Sequence, residues 1–163
     1  MSKRKKRAVR SNAMRLLDAR RIEYEVLTFA PGIHSAPEAA GALGLDPSVL
    51  YKTLVVRRGR GKPLLVMVAG DRRLDLQSLA ASVGEKKLSM ASQREAEALT
   101  GLQVGGISAL ALLRRGFEIC IDRAARDLAQ IVVSAGRRGV NLRLSVDDLV
   151  RVTGARWVDA SGG

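Results

Sequence analysis

A chain of 163 residues with 47% hydrophobic content is long enough for one compact domain with its own core and too short for two of full size. No apolar run approaches the roughly 18 residues of a membrane-spanning helix, and one cysteine with one histidine leaves neither an internal disulfide nor a Cys/His metal site. The net charge of +12 points to a polyanionic partner, with a nucleic-acid backbone the obvious candidate and plain solubility the alternative.

Six of the 28 basic residues (Lys3, Arg4, Lys5, Lys6, Arg7 and Arg10) open the chain, and the 22 that follow still outnumber 16 acidic ones. Without an apolar segment, residues 1–10 read as a disordered basic arm that strengthens RNA contact, not as a secretory signal, and residues 11–163 as a single domain. A lone thiol fits a reducing, cytoplasmic setting. Ser11 or Asn12 caps a first helix carrying Met14, Leu16 and Leu17, and Glu23 to Phe29 has strand character. Ala30 to Ala36, with the only histidine, His34, is a loop. Pro37-Glu38 opens a second helix that Gly44 ends.

Tyr51 to Arg57 and Leu64 to Ala69 are strands joined by a basic, flexible hairpin loop. Asp75 precedes the helical stripe Leu76, Leu79, Ala80 and Val83, closed by Gly84, and Ser92 with Glu95 forms a capping box for another helix. Phe117 to Ile121, Ile131 to Ser134 and Val140 to Leu144 are short strands. A last helix runs from the Ser145/Asp148 cap to Gly154. Strands and helices alternate without a strict βαβ rhythm, which predicts one α/β or α+β domain with a mixed sheet.

Motifs for a nucleophile elbow, a P-loop or a dinucleotide fingerprint are absent. Cys120, between Ile119 and Ile121, reads as a small buried apolar residue, and His34 as a loop residue that touches a substrate in the less favoured reading. Three segments set polar chemistry beside glycine or an apolar strand. Lys52 opens the strand Tyr51-Lys52-Thr53-Leu54-Val55-Val56 and either faces solvent or reaches into a pocket. Gly105-Gly106-Ile107-Ser108 allows close main-chain approach to a ligand, or is an ordinary turn. Ser134-Ala135-Gly136-Arg137-Arg138-Gly139 suits phosphate contact through two guanidinium groups, or is a solvated hairpin.

In this order and spacing the three blocks resemble the YbaK/EbsC aminoacyl-tRNA deacylases, relatives of the editing insertion domain of bacterial prolyl-tRNA synthetases. Leu43 to Pro47, Leu74 to Leu76, Gly84 to Ala91, Thr100-Gly101, Ile121-Asp122 and Asp148-Leu149 match as well, so the likeness runs from about Ser11 to about Val158. The resemblance implies a strongly curved mixed β-sheet, partly closed like a barrel, with helices around it. It implies that Lys52 anchors phosphate or ribose oxygens at the tRNA's terminal adenosine and that Thr53 lines the same pocket. Gly105 and Gly106 would position the aminoacyl carbonyl, with Gly106 counted as catalytic beside Lys52. Phe29, Ser108, Ser134 and Gly136 would contact substrate, and Arg115, Arg137, Arg138 and the arm residues Lys3 to Arg7 would contact RNA.

The family activity expected is release of cysteine from Cys-tRNA(Pro), by attack of the substrate's own thiol or by water, without cofactor or metal. Aminoacyl-tRNA is the partner implied, with prolyl-tRNA synthetase a second one and no membrane involved. The alternatives are removal of another small amino acid such as alanine, and a silent tRNA- or synthetase-binding module. Three departures bear on this choice. Ala109 stands where the family has proline, Phe29 where it has a pocket tyrosine, and Ser35 where it has phenylalanine.

Overall fold

The computed structural model describes residues 10–30, 32–33 and 35–162. Lys3 to Arg7 and His34 therefore lie outside the described residues, and so does the question of an ordered arm. Arg10 is described, and it is fastened to the domain: its guanidinium pairs with Asp18 and donates to the Tyr24 hydroxyl at 2.8 Å.

The helices begin where the capping residues demand. Helices α1 (Asn12–Ala19), α2 (Ala36–Leu43), α3 (Leu76–Val83), α4 (Gln93–Thr100) and α5 (Val146–Thr153) are preceded by Ser11, Ser35, Asp75, Ser92 and Ser145. Each of these side chains accepts a main-chain N–H of the first turn, which satisfies a donor that the helix itself cannot. Four of the helices stop at Gly44, Gly84, Gly101 and Gly154, all left-handed.

The strands are β1 (Glu25–Thr28), β2 (Tyr51–Arg58), β3 (Leu64–Ala69), β4 (Arg73–Leu74), β5 (Leu88–Met90), β6 (Glu118–Asp122), β7 (Gln130–Arg137), β8 (Val140–Ser145), β9 (Arg156–Val158) and β10 (Ser161–Gly162). A five-stranded sheet has the order β5-β2-β3-β6-β9, antiparallel around β2 and parallel across β3-β6-β9. A three-stranded antiparallel sheet has the order β1-β8-β7, and β4 pairs with β10. Single-sequence pattern misses β4, β5, β9 and β10 because two or three residues carry no readable period; they are strands only because a partner lies beside them.

β3 is buried along its whole length. Leu65, Met67 and Ala69 face the main core, which takes in α1, the β7-β8 hairpin and α5. Leu64, Val66 and Val68 face a second core under Leu79 and Ala80 of α3. Cys120 is shut inside that second core, where burial, followed by the Glu118 charge, pushes its thiol up to about 12; an inert small apolar role fits. The 59–63 connection is less free than its composition suggests. Arg58 Nε donates to the Lys62 carbonyl at 2.8 Å and its guanidinium meets Glu118 at 2.8 Å, while Lys62 lies 5.5 Å above the Phe117 ring.

The mixed curved sheet is as expected, but it does not close. The two larger sheets meet at a single parallel bridge, Leu50 to Val132. On its other side β2 is paired by β5 only over Val56–Arg58, with Ala91 N donating to the Val55 carbonyl at 3.0 Å. Between these points Tyr51 to Leu54 pair with β3 on one side and with no strand of the described residues on the other, and this open edge positions the site.

Candidate active site at the open sheet edge

A cleft of about 320 Å³ fills the gap between the diverging strands β2 and β7. Alternation turns Tyr51, Thr53 and Val55 to one face of β2 and Lys52, Leu54 and Val56 to the other. Because the edge is open, the five residues from Tyr51 to Val55 all reach the cleft. Ser134 of β7 and Asn141 of β8, paired in register, form the facing wall. Phe29, Ile33, Ser35 and the first turns of α2 supply an apolar end. Met90, Gln93, Ala96, Val104, Gly105 and Ile107 supply the other side.

Main-chain packing explains this placement. Gly70 N donates to the Leu50 carbonyl at 2.7 Å, and a Cβ at Gly70 would lie 2.7 Å from Ala36 Cβ, so only glycine lets the start of α2 sit on the end of β3. That contact carries the α2 wall of the cleft. No signal in the single sequence singles out Gly70.

Lys52 is partly buried and Nζ donates to the Arg72 carbonyl at 2.9 Å. Burial pulls its pKa down, opposed by the Asp71 charge. One of the three ammonium donors is thus used to aim the group, and the other two have no partner among the described residues. Arg72 is itself held by the C-terminal ribbon: its guanidinium donates to Ser161 Oγ at 3.4 Å, and that hydroxyl donates to buried Asp122 at 2.7 Å.

The two glycines separate in role. Gly106 N–H donates to the Gln103 carbonyl at 2.8 Å and Gly106 is buried outside the cleft lining, so its N–H is committed to a turn. Gly105, with φ +95, lines the cleft, and its N–H has no partner among the described residues. Of the two glycines, Gly105 is thus the one on the cleft wall, and its main-chain donor is uncommitted among the described residues. The Arg138 side chain lies 3.3 Å from the position of a Gly105 Cβ, and its Nε donates to the Val104 carbonyl at 2.8 Å. Arg137 is exposed; with Gly136 it lines a separate hollow of about 150 Å³ beside Ser11 and Asn12.

Other expected contact residues have structural work. Ser108 is buried and its Oγ accepts Ala111 N at 3.2 Å, opening the 3-10 turn Leu110–Arg115. Gly136 N donates to Ser134 Oγ at 3.1 Å within a bulge in the β7-β8 pairing. Arg115 donates to the Thr100 and Leu99 carbonyls at 3.3 and 3.2 Å, capping α4. Arg115→Ala is accordingly expected to lower stability by about 0.5–1 kcal/mol in a denaturant melt while changing tRNA affinity less than twofold; unchanged stability with a large affinity loss would return Arg115 to RNA contact.

Sequence reasoning overlooked Asn141. Its neighbours Val140, Leu142 and Leu144 suggest a strand with Asn141 and Arg143 facing solvent, yet Asn141 is only 7% exposed. Pairing the 134–141 hairpin on paper would have set Asn141 opposite Ser134 and revealed it.

The cleft between the two strands thus carries one aimed lysine and one glycine N–H that has no partner among the described residues. Residues 30–152 match the family model described as the aminoacyl-tRNA editing domain, and the chain belongs to that family. The chain is 30% identical over 157 residues, 95% of each chain, to EbsC of Enterococcus faecalis, named as a candidate Cys-tRNA(Pro)/Cys-tRNA(Cys) deacylase. It is 29% identical over 135 residues to the proline--tRNA ligase of Pelobacter propionicus, 81% of this chain and 23% of that enzyme. Among solved structures, a candidate trans-editing enzyme for prolyl tRNA synthetase superposes with TM-score 0.79 at 25% identity, covering 96% of this chain and 100% of the other. The hypothetical protein APE2540 superposes with TM-score 0.85 at 29% identity over 93% and 99% of the two chains. The chain is thus an aminoacyl-tRNA editing protein of the deacylase type, related by descent to the insertion domain of prolyl-tRNA synthetases.

Proposed function

We propose that this protein acts in trans on Cys-tRNA(Pro), releasing the mischarged cysteine with Lys52 as the anchoring cation. The observation that carries the reading is the aimed Lys52 ammonium in a cleft whose opposite rim is the Gly105 main chain. Lys52 holds ribose or phosphate oxygens of the terminal adenosine, and Gly105 N–H faces the ester carbonyl. The substrate's sulfur attacks the carbonyl carbon: a C–S bond forms, the C–O bond to the ribose breaks, and the thiol proton passes to the departing ribose oxygen. The products are a thiolactone and free tRNA. Attack by water at the same carbon gives cysteine instead. In both routes the protein contributes positioning and electrostatics, and no side-chain nucleophile is required.

A small side chain fits the apolar end formed by Phe29, Ile33, Ala36 and Ala39. The likeness to EbsC supports cysteine. Phe29, which has no hydroxyl to offer a thiol, supports the second reading, alanine removal. Deacylation of cysteinyl-, alanyl- and prolyl-tRNA(Pro) decides between them: selective cysteine loss supports the proposal, alanine loss supports the second reading, and protection of all three would leave a silent tRNA-binding module.

The basic arm serves affinity in this proposal. Deleting residues 1–9 is expected to flatten the salt dependence of tRNA binding, since each phosphate contact adds about 0.7–0.9 to the slope of log K against log salt, and to leave kcat at saturating tRNA unchanged. Loss of turnover at saturating tRNA would contradict the role given to the arm.

A further inference from the structure

We infer that the cleft takes aminoacyl esters whose α-amino group carries no charge, N-acylated esters included, and that Asn141 reads this group. The inference rests on the deacylase reading above and concerns which substrates that site accepts.

Asn141 lies in a row across the three-stranded sheet with Leu27 on one side and Ser134 on the other, and it is 7% exposed. Its amide makes no hydrogen bond to any described residue. Among the described residues every side-chain nitrogen or oxygen that is fully shut off from solvent has a partner, so the Asn141 amide opens to the cleft it lines. The Thr53 hydroxyl, on a residue 9% exposed, is in the same position across the gap. A polar group on a mostly buried residue that has no protein partner and opens to a cleft is completed there by water or by a ligand. Two such groups facing one cleft therefore mark where a substrate's polar atoms go.

The charges around this pair are one-sided. Among the described residues lining the cleft, Lys52 is the one charged side chain, and no carboxylate is present. Nearby acids are turned elsewhere. Glu38 takes the Ser35 hydroxyl, Glu95 pairs with Arg57, and Glu25 pairs with Arg143. Glu97 takes Val104 N at 2.9 Å, while Asp71, whose charge supports the Lys52 ammonium against burial, is not among the residues lining the cleft. An α-ammonium entering this cleft would meet the Lys52 charge and no lining carboxylate, which is unfavourable where the dielectric is low. A neutral amine or an amide meets a carboxamide that can both donate and accept. The ammonium form is thus discriminated against, and an acyl group on nitrogen removes the penalty.

The test compares one amino acid on one tRNA as free-amine ester and as N-formyl ester, the smallest acyl block, with wild type and Asn141→Asp at a single pH. Wild type is expected to cleave the N-formyl ester with kcat/KM at least equal to that of the free-amine ester. Asn141→Asp, which supplies a counter-ion, is expected to shift the ratio about tenfold or more toward the free amine. Because the readout is a ratio within one preparation, partial loss of folded variant cancels, and the wild-type ratio alone decides if the variant does not fold. Rejection of the N-formyl ester by wild type by tenfold or more, or a ratio unmoved in Asn141→Asp, overturns the inference and leaves the deacylase reading standing. Failure of wild type on both esters overturns the deacylase reading and this inference with it.

Discussion

Lys52→Ala is expected to lower kcat/KM for deacylation by about 10²–10³-fold without lowering the melting temperature. The magnitude is that of deleting one preorganised electrostatic donor from an active site. Stability should be spared because burial already disfavours the ammonium in the folded state. The folded pKa lies below the unfolded one, so the charged group opposes folding at neutral pH and that opposition fades only as pH rises through the folded value. Removing the side chain removes this cost together with the bond to the Arg72 carbonyl. The same shift predicts that activity carried by the ammonium, after subtraction of uncatalysed ester loss, falls on the alkaline side below the usual lysine range. Lys52→Arg should not rescue, since a planar guanidinium cannot occupy the place of a compact ammonium held by one carbonyl. Full activity in Lys52→Ala would remove the lysine from the mechanism.

Gly106→Ala is expected to cost about 1–3 kcal/mol in stability, or roughly 2–10 °C in Tm for a chain of this size, and to reduce turnover as well. A Cβ there would stand 2.7 Å from Arg138 N and 2.8 Å from the Arg137 carbonyl carbon. Both are main-chain atoms, so no rotamer change relieves the clash and the 103–106 loop must move off the β7-β8 hairpin. Gly105 would move with it, taking its free N–H away from the cleft. Gly41→Ala is the internal contrast: nothing lies within 4 Å of its Cβ position, it sits inside α2, and alanine there should stabilise by about 0.5–1 kcal/mol. Equal melting temperatures for the two variants would show that the close approach at Gly106 is not needed.

The pairing of the two loops also accounts for what the resemblance implied about them. Gly105-Gly106 and Arg137-Arg138 are neighbours in space, so residues expected to hold separate parts of a substrate are held by one another. Arg138 reaches over Gly105 to the Val104 carbonyl and steadies the rim. Of the two glycines expected to position the carbonyl, Gly106 spends its N–H on a turn, while that of Gly105 has no partner among the described residues.

Several features were legible in the chain alone, and the reason is that their physics is local. The caps at Ser11, Asp75, Ser92 and Ser145, the stops at Gly44, Gly84 and Gly154, and the apolar runs of β2 and β3 depend on neighbours within four residues or on period alone. The family was legible from three spaced blocks. What the sequence could not decide depends on partners brought from afar. Whether Lys52 faces solvent or a cleft turns on where β5 stops pairing with β2, and the short strands β4, β5, β9 and β10 exist only as partners. Asn141 looks like a solvent-facing residue of an alternating strand until the gap between β2 and β7 places a cleft in front of it. Side-chain period determines which residues share a face; only the assembled sheets determine whether that face meets water, core or substrate.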